Sequence, residues 1–333
     1  MSDFRSLDIS RLCDRICENK KTLIVYHVRS DADAVGSAFA LRELLRVMGI
    51  PALCACADEI PERLRFLTDG VQGSVLIEDD MGLDHERVIS VDSASPEQLG
   101  NLFARLRRDV DLMIDHHAKG SIYADHYIDV DACATGEIIY QIAKYLLATG
   151  KILSIPARVI HLVYAAMASD TGCFRYSNAG ARALRTAAEL IEAGADREEI
   201  NRRLFESKSL GQLRAEGEAA RRLLLHDGGK IASVTFPYAL KCELGIANED
   251  METVIDIPRS VAGVEVAFVV RQNEENGAFR VSMRSTSVCD VSAICAKFGG
   301  GGHKRAAGCS VQAENIRQAE EKILAEIREN VSF

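Results

Sequence analysis

The sequence predicts an α/β protein, with an N-terminal domain on a mainly parallel sheet and a smaller α+β domain after it. Three observations lead there. Through the first half, short apolar runs rich in β-formers alternate with segments of helical period, the pattern of βαβ units. In the last third, Asn276-Gly277 stands between two apolar runs; both residues accept positive φ, which marks a hairpin. Finally, 333 residues fit two domains at roughly 100–200 residues each.

The elements follow in order. Residues 22–26, 52–56, 88–91 and 112–114 read as strands. Residues 34–48 carry apolar side chains at helical spacing and stop at Gly49, a natural residue just past a helix end. Residues 97–108 and 136–148 also read as helices, and an apolar segment, 159–168, comes later. Residues 181–226 are rich in Arg and Glu and nearly free of β signals, so they read as helices with a connector near 205–220. Strands are expected at 231–236, 264–270 and 278–283, then helices at 291–297 and 314–329. The resulting division is a first domain over 1–190, a helical linker over 191–220 and a second domain over 221–333. A cleft is expected between the two domains.

Composition excludes several functions. The net charge is -9, and binding a long nucleic acid through charge requires Lys and Arg to displace counterions. Residues 214–333 hold 15 Lys/Arg against 17 Asp/Glu, so the second domain is not a basic patch. With no Trp and 6% aromatics, a long base-stacking platform is not expected. No apolar window is long enough for a membrane span, and no signal peptide is visible. The ten cysteines show no paired spacing, which fits reduced thiols and a cytoplasmic protein.

Chemistry gathers where the first-half segments end. The first strand runs into His27-Val28-Arg29-Ser30-Asp31-Ala32-Asp33. The third ends at Asp92, the fourth at Asp115-His116-His117, and the later apolar segment at Asp170-Thr171-Gly172. In parallel sheets, ligands bind beyond the carboxyl ends of the strands. Each motif alone has an ordinary explanation: Asp31 and Asp92 can cap helices, and Asp170 can begin a turn. Four such elements at one rim are harder to explain as caps. Two like charges 4 Å apart repel by about 4 kcal/mol at an effective dielectric of 20, so packed carboxylates call for protons or divalent cations. Mixed carboxylate and imidazole ligands suit Mn, Fe, Co or Zn, and a shared carboxylate can join two ions that polarise a phosphoryl oxygen and activate water.

These residues resemble the four motifs of the DHH phosphoesterases. The tail Phe298-Gly299-Gly300-Gly301-Gly302-His303-Lys304-Arg305-Ala306-Ala307-Gly308 resembles the signature of the DHH-associated C-terminal domain in the nanoRNase subgroup, as does Arg280-Val281-Ser282-Met283-Arg284-Ser285. The resemblance spans residues 27–308. It departs at Ser30, where the family often has Pro, and at Ala32, where it often has Gly.

The resemblance implies two divalent metal ions, with manganese expected. One would be held by His27, Asp31 and Asp92. The other would be held by Asp33, Asp92, His116 and Asp170, with Asp92 bridging. His117 would face the scissile phosphate and Asp115 would orient a histidine, so the catalytic set is His117, Asp92 and Asp115. Arg284, Ser285, Gly300, Gly301, Gly302 and His303 would hold substrate: glycine N–H groups can face phosphate oxygens, and an arginine fork matches them. The implied substrates are very short oligonucleotides, about two to five nucleotides long, and 3′-phosphoadenosine 5′-phosphate (pAp). No long polymer or membrane partner is implied, and a homodimer is compatible. Three rival activities remain: a cyclic-dinucleotide or pApA phosphodiesterase, a RecJ-like single-strand exonuclease, and a family II pyrophosphatase, which the glycine-rich tail disfavours. A non-catalytic nucleotide-binding regulator is the reading from another class.

Overall fold

Thr22–Val25 (β1), Ala52–Ala55 (β2), Ser74–Val75 (β3), Arg87–Val91 (β4), Leu112–Asp115 (β5) and Asp125–Ile128 (β6) form one sheet in a computed structural model of the chain. The model describes residues 4–68, 74–75, 85–106, 108–275, 277–286 and 289–331. All neighbours in this sheet are parallel, in the order β3-β2-β1-β4-β5-β6. Parallel strands are buried on both faces and need few polar positions; β1 and β4 are buried along their length, with Arg87 and Ser90 the polar positions of β4. Leu23 and Val25 join Val88, Leu99 and Met113 on one side; Ile24 joins Ile89, Val91 and a helical layer on the other.

That layer contains Ile9–Ile16 (α1), Ala32–Val47 (α2), Thr135–Ala148 (α4), Ala157–Asp170 (α5), Ala181–Glu192 (α6) and Arg197–Asn201 (α7); Asn101–Arg105 (α3) is short. The helix expected over 97–108 is broken: a 3₁₀ turn, Pro96–Leu99, gives way at Gly100 to α3. Gly100 has φ +61, and a Cβ there would stand 2.7 Å from Val28 Cγ1. The chain needs a glycine at that point, and the helix cannot run through it. Helices α2, α4 and α5 meet closely at glycines. A Cβ on Gly36 would stand 2.7 Å from Leu162 O, and one on Gly136 2.5 Å from Ala166 Cβ.

The chain divides into two compact units, Met1–Ser207 and Lys208–Phe333. The segment expected as a linker therefore holds α7 in the first unit and Leu210–Arg222 (α8) in the second. The second unit continues with Leu224–His226 (β7), Ile231–Phe236 (β8), Tyr238–Leu244 (α9), Asp256–Arg259 (α10), Val266–Gln272 (β9), Phe279–Ser285 (β10), Val291–Lys297 (α11), Gly301–His303 (β11), Ala306–Val311 (β12) and Ile316–Asn330 (α12). Its sheet runs β11-β12-β10-β9-β8-β7, antiparallel except for β8 with β9. The alternation of β9 sorts its side chains. Val266, Phe268 and Val270 pack with Val291, Ile294 and Ile323; Ala267 and Val269 pack with Ala215 and Ala219 of α8.

The expected hairpin exists, since β9 and β10 pair antiparallel from Gln272↔Phe279 onward. Asn276 lies outside the described residues. The glycine run supplies β11, hydrogen-bonded to β12 in register Gly301↔Gly308. Among the described residues no helix is long and apolar enough to cross a membrane.

Candidate metal centre

Strand order reverses around β1, which has β2 on one side and β4 on the other. A crevice opens beyond the carboxyl ends of strands at such a switch point. Here β1 leads into His27 and β4 leads into Asp92. The loop after β1 is pinned: Ser30 Oγ donates to His27 O (3.0 Å), and Arg29, at φ 54, donates its N–H to Asp58 Oδ2 (2.8 Å). Asp31 then caps α2, accepting from the N–H groups of Asp33 (2.9 Å) and Ala34 (3.0 Å). The cap and the ligand readings of Asp31 are compatible, because its Oδ1 also lies 3.9 Å from His27 Nε2.

Asp33, in the first turn of α2, is fully buried. Its Oδ2 accepts from Thr135 N (2.7 Å), and its Oδ1 accepts from Gly136 N (2.9 Å) and Ser37 Oγ (2.9 Å). The first N–H groups of α4 thus hold it, at the positive end of the helix dipole. Asp92 takes an uncommon φ of 52 and accepts from Thr135 Oγ1 (3.0 Å). Backbone strain of this kind concentrates at functional sites. Asp170 is the last residue of α5, so it arrives from a helix rather than from a strand end.

Two histidines face these carboxylates. His27 Nε2 stands 3.6 Å from Asp92 Oδ2. His116 Nε2 stands 3.3 Å from Asp170 Oδ2 and 3.8 Å from both Asp33 Oδ2 and Asp92 Oδ1. The other ring nitrogens meet carbonyls: His27 Nδ1 at Val28 O (2.9 Å) and His116 Nδ1 at Ala132 O (3.2 Å). A carbonyl only accepts, so each Nδ1 carries the proton, and in the neutral ring each Nε2 offers a lone pair toward the carboxylates. His117 is held differently. Its Nδ1 donates to Asp115 Oδ1 (2.7 Å), which also accepts the backbone N–H groups of His116 (2.7 Å) and His117 (3.2 Å).

The electrostatics are those of a cluster that wants positive charge. Burial raises Asp33 well above the usual carboxylate range, and Asp92 and Asp170 push it further. Burial likewise lifts Asp170, with Asp31 and Asp92 adding to the shift, to about 6 even though His116 opposes it. Burial acts against the charge on His27 and His116, but the facing carboxylates overcome it and raise both to about 10. Asp92 is also penalised by burial, yet His27, His116 and His117 bring it down to about 2.

The residues fit divalent metal. Ligand atoms lie within 4.8 Å of one another in His27/Asp31/Asp92, in Asp33/His116/Asp170 and in Asp92/His116/His117. Asp92 and His116 link the groups. His116 Nε2 and Asp115 Oδ2 are buried with no hydrogen-bond partner among the described residues, and such orphaned atoms call for an explanation. His117 can join a metal through Nδ1 only by giving up its bond to Asp115. Sequence reasoning missed Thr135, Gly136 and Ser37. For Thr135 and Gly136 the signal was a helix start at Ala134-Thr135-Gly136-Glu137, and for Ser37 its place one turn after Asp33.

The other residues singled out lie in the second unit. Arg284 and Ser285 end β10; Arg284 Nη1 donates to Met283 O (2.9 Å) and Ser285 Oγ to Cys289 O (2.6 Å). Gly300 is sterically required, because a Cβ there would lie 2.6 Å from Cys309 Cα. Gly302 has φ +139, and its Cβ would crowd Ala306 O at 2.6 Å. Gly301 faces open space. His303 closes β11.

Residues 21–167 match the DHH family N-terminal domain, and residues 230–329 match the DHHA1 domain. The chain belongs to the DHH family. This DHH protein is 28% identical to the bifunctional oligoribonuclease and PAP phosphatase NrnA of Thermus thermophilus, over 93% of this chain and 90% of that one. It is also 28% identical to the Bacillus subtilis protein of the same name, over 87% and 89%. Its fold matches the crystal structure of an exopolyphosphatase-related protein from Bacteroides fragilis, with a TM-score of 0.88 and 20% identity over 96% of this chain and 95% of that one. The chain is thus a DHH-type phosphoesterase, a hydrolase in a family that uses divalent metals.

Proposed function

We propose that this protein hydrolyses short oligonucleotides, about two to five nucleotides long, to mononucleotides, and removes a phosphate from pAp, with manganese as the working ion. One observation carries the reading. Two potential ligand groups, His27/Asp31/Asp92 and Asp33/His116/Asp170, lie together, with Asp92 within 3.6–3.8 Å of the histidine of each. The relatives named NrnA support the substrate class.

Bound metal would polarise the phosphoryl group and lower the pKa of water; His27, Asp31 and Asp92 would hold one ion, and Asp33, Asp92, His116 and Asp170 the other. The chain's own residues do the rest. Val28 O and Ala132 O fix the tautomers that aim Nε2 of His27 and His116 at the carboxylates. Thr135 and Gly136 N–H groups fix the orientation of the Asp33 carboxylate. Asp115 orients His117 through Nδ1, leaving Nε2 of His117 as the atom that stabilises charge or hands a proton to the leaving oxygen. Arg284, Ser285, Gly300, Gly301, Gly302 and His303 are the proposed substrate grip.

The test is a panel of 5′-labelled oligonucleotides of two to twenty-four residues with pAp, pApA and cyclic di-AMP, in manganese and in magnesium. Turnover of dimers to pentamers and of pAp, well ahead of the 24-mer, is expected. Preferred cleavage of cyclic di-AMP or of the 24-mer would replace this reading with a cyclic-dinucleotide or RecJ-like one. No hydrolysis with either metal would leave the binding-regulator reading.

A further inference from the structure

One short segment, residues 132–136, is bonded to most of the carboxylate and histidine cluster. Ala132 O holds His116 Nδ1 (3.2 Å). Thr135 meets Asp33 through its N–H and Asp92 through Oγ1, and Gly136 N meets Asp33. Asn178 Nδ2 donates to both Cys133 O (3.1 Å) and Asp170 O (3.2 Å). The segment is thereby bonded, directly or through Asn178, to all four residues assigned to one ion: Asp33, Asp92, His116 and Asp170. His27 and Asp31 are held from elsewhere, His27 by Val28 O and Asp31 by the N–H groups of Asp33 and Ala34.

What fixes the segment is a second buried carboxylate. The residue before α4, Ala134, has no side-chain acceptor with which to cap the helix, although a helix start leaves its first N–H groups without partners. Asp33 takes those of Thr135 and Gly136 from outside. Glu137, in the first turn of α4, reaches back to Cys133 N through Oε2 (2.9 Å), much as the glutamate of a capping box does. Glu137 is 1% exposed, and a buried carboxylate is costly unless paired and hydrogen-bonded. Its Oε1 accepts from Thr186 Oγ1 (3.0 Å) and lies 3.2 Å from Arg182 Nε, one turn apart on α6. Arg182 Nη2 donates in turn to Asp129 Oδ2 (2.7 Å), and Asp129 O accepts from Ala132 N (3.1 Å). The ion pair accounts for the charge of Glu137, and its other oxygen is left to set the Cys133 peptide.

We propose that Glu137 is a positioning residue for one of the two metal sites: through Cys133 it sets the segment that aims His116 and Asp33. This rests on the two-metal reading above. It adds that the two ions are held by separately supported groups, so that one can be loosened without the other.

The experiment titrates manganese by calorimetry into the metal-free parent, Glu137→Ala, Glu137→Gln and Glu137→Asp, and records the His116 Nδ1 proton resonance of each metal-free protein by NMR. A glutamine oxygen still reaches Cys133 N. An aspartate, one methylene shorter, keeps the charge beside Arg182 but falls short of Cys133. Glu137→Ala and Glu137→Asp should therefore weaken one of two manganese steps 10–100-fold, the range for groups that orient ligands, and leave the other unchanged. Glu137→Gln should stay close to the parent. Tighter binding by Glu137→Asp than by Glu137→Gln would mean that only the ion pair matters and would overturn the proposal, as would equal weakening of both steps or no change in any variant. If Glu137→Ala does not fold, the other two variants decide alone. If the parent takes up no manganese, the metal reading has failed and the His116 resonance decides: displaced in Glu137→Asp and parent-like in Glu137→Gln supports the positioning role, and parent-like in both overturns it.

Discussion

The DHH unit and the DHHA1 unit both place short motifs of unusual composition at the ends of strands, but for different physical reasons. Around Asp92 the side chains conflict: buried carboxylates raise one another, and the histidines are held toward their charged forms. Nothing about packing requires that arrangement, so it points to a divalent cation as the cluster's partner. Around Gly300 the reverse holds. The glycines relieve a conflict, letting β11 approach β12 where a side chain would collide. A glycine-rich motif can thus be explained largely by packing even where it also binds. A carboxylate cluster cannot.

The largest effect that would break this contrast is at Asp92. Asp92→Ala should lower manganese-dependent hydrolysis by at least about 1000-fold, beyond the 10–100-fold typical of groups that orient ligands, with an unchanged far-UV spectrum. Substantial activity in that variant would mean that the shared carboxylate does not organise the centre. Asp115→Asn should fall in the 10–100-fold range, because it loosens His117 while leaving the metal-facing oxygens in place. A loss confined to KM would count against that role.

Arg284→Ala should raise KM for phosphorylated dinucleotides about tenfold, the loss of one charge-assisted hydrogen bond, and should spare a generic aryl phosphodiester. Equal effects on both would return Arg284 to a structural role.

Metal and pH should be linked through the same cluster. Asp33, Asp170, His27 and His116 all have folded-state pKa values raised above their unfolded ones. Each contributes stability below its unfolded pKa and loses it as pH rises through the folded value. For Asp170 that loss is nearly complete by about pH 6, and for the histidines it continues toward pH 10. Asp92, lowered to about 2, behaves oppositely but only in acid. The metal-free protein should therefore lose Tm between pH 6 and 8, and manganese should restore more Tm at pH 8 than at pH 6. Scanning fluorimetry in chelator and in manganese measures both, and a metal effect independent of pH would contradict the linkage.

The smallest effects separate packing from binding within one motif. Gly300→Ala should destabilise by about 1–3 kcal/mol, as overpacking does. Gly301→Ala should leave stability within about 0.5 kcal/mol of the parent and act, if at all, on KM. Comparable Tm losses in both variants would erase the distinction between them.

Much of the candidate metal centre was legible because its residue types are expensive to bury without a purpose. His27, Asp31, Asp33, Asp92, His116 and Asp170 follow apolar segments in an order that a doubly wound sheet brings to one rim. Thr135 and Gly136 were not legible, because a backbone N–H carries no mark in the sequence. The break at Gly100 was missed for a related reason: helical periodicity continued past a residue that a distant side chain, Val28, obliges to be glycine.

Local chemistry along the chain determined the strand runs, the helix caps and the set of side chains able to bind metal, since these depend on neighbours in sequence. Tertiary structure alone decided that Asp92 would sit between two histidines from different strand ends. It also decided that the start of α4 would cradle Asp33. Those outcomes depend on how closely α2, α4 and α5 approach, and that distance is set by which small residues face one another across helices far apart in the chain.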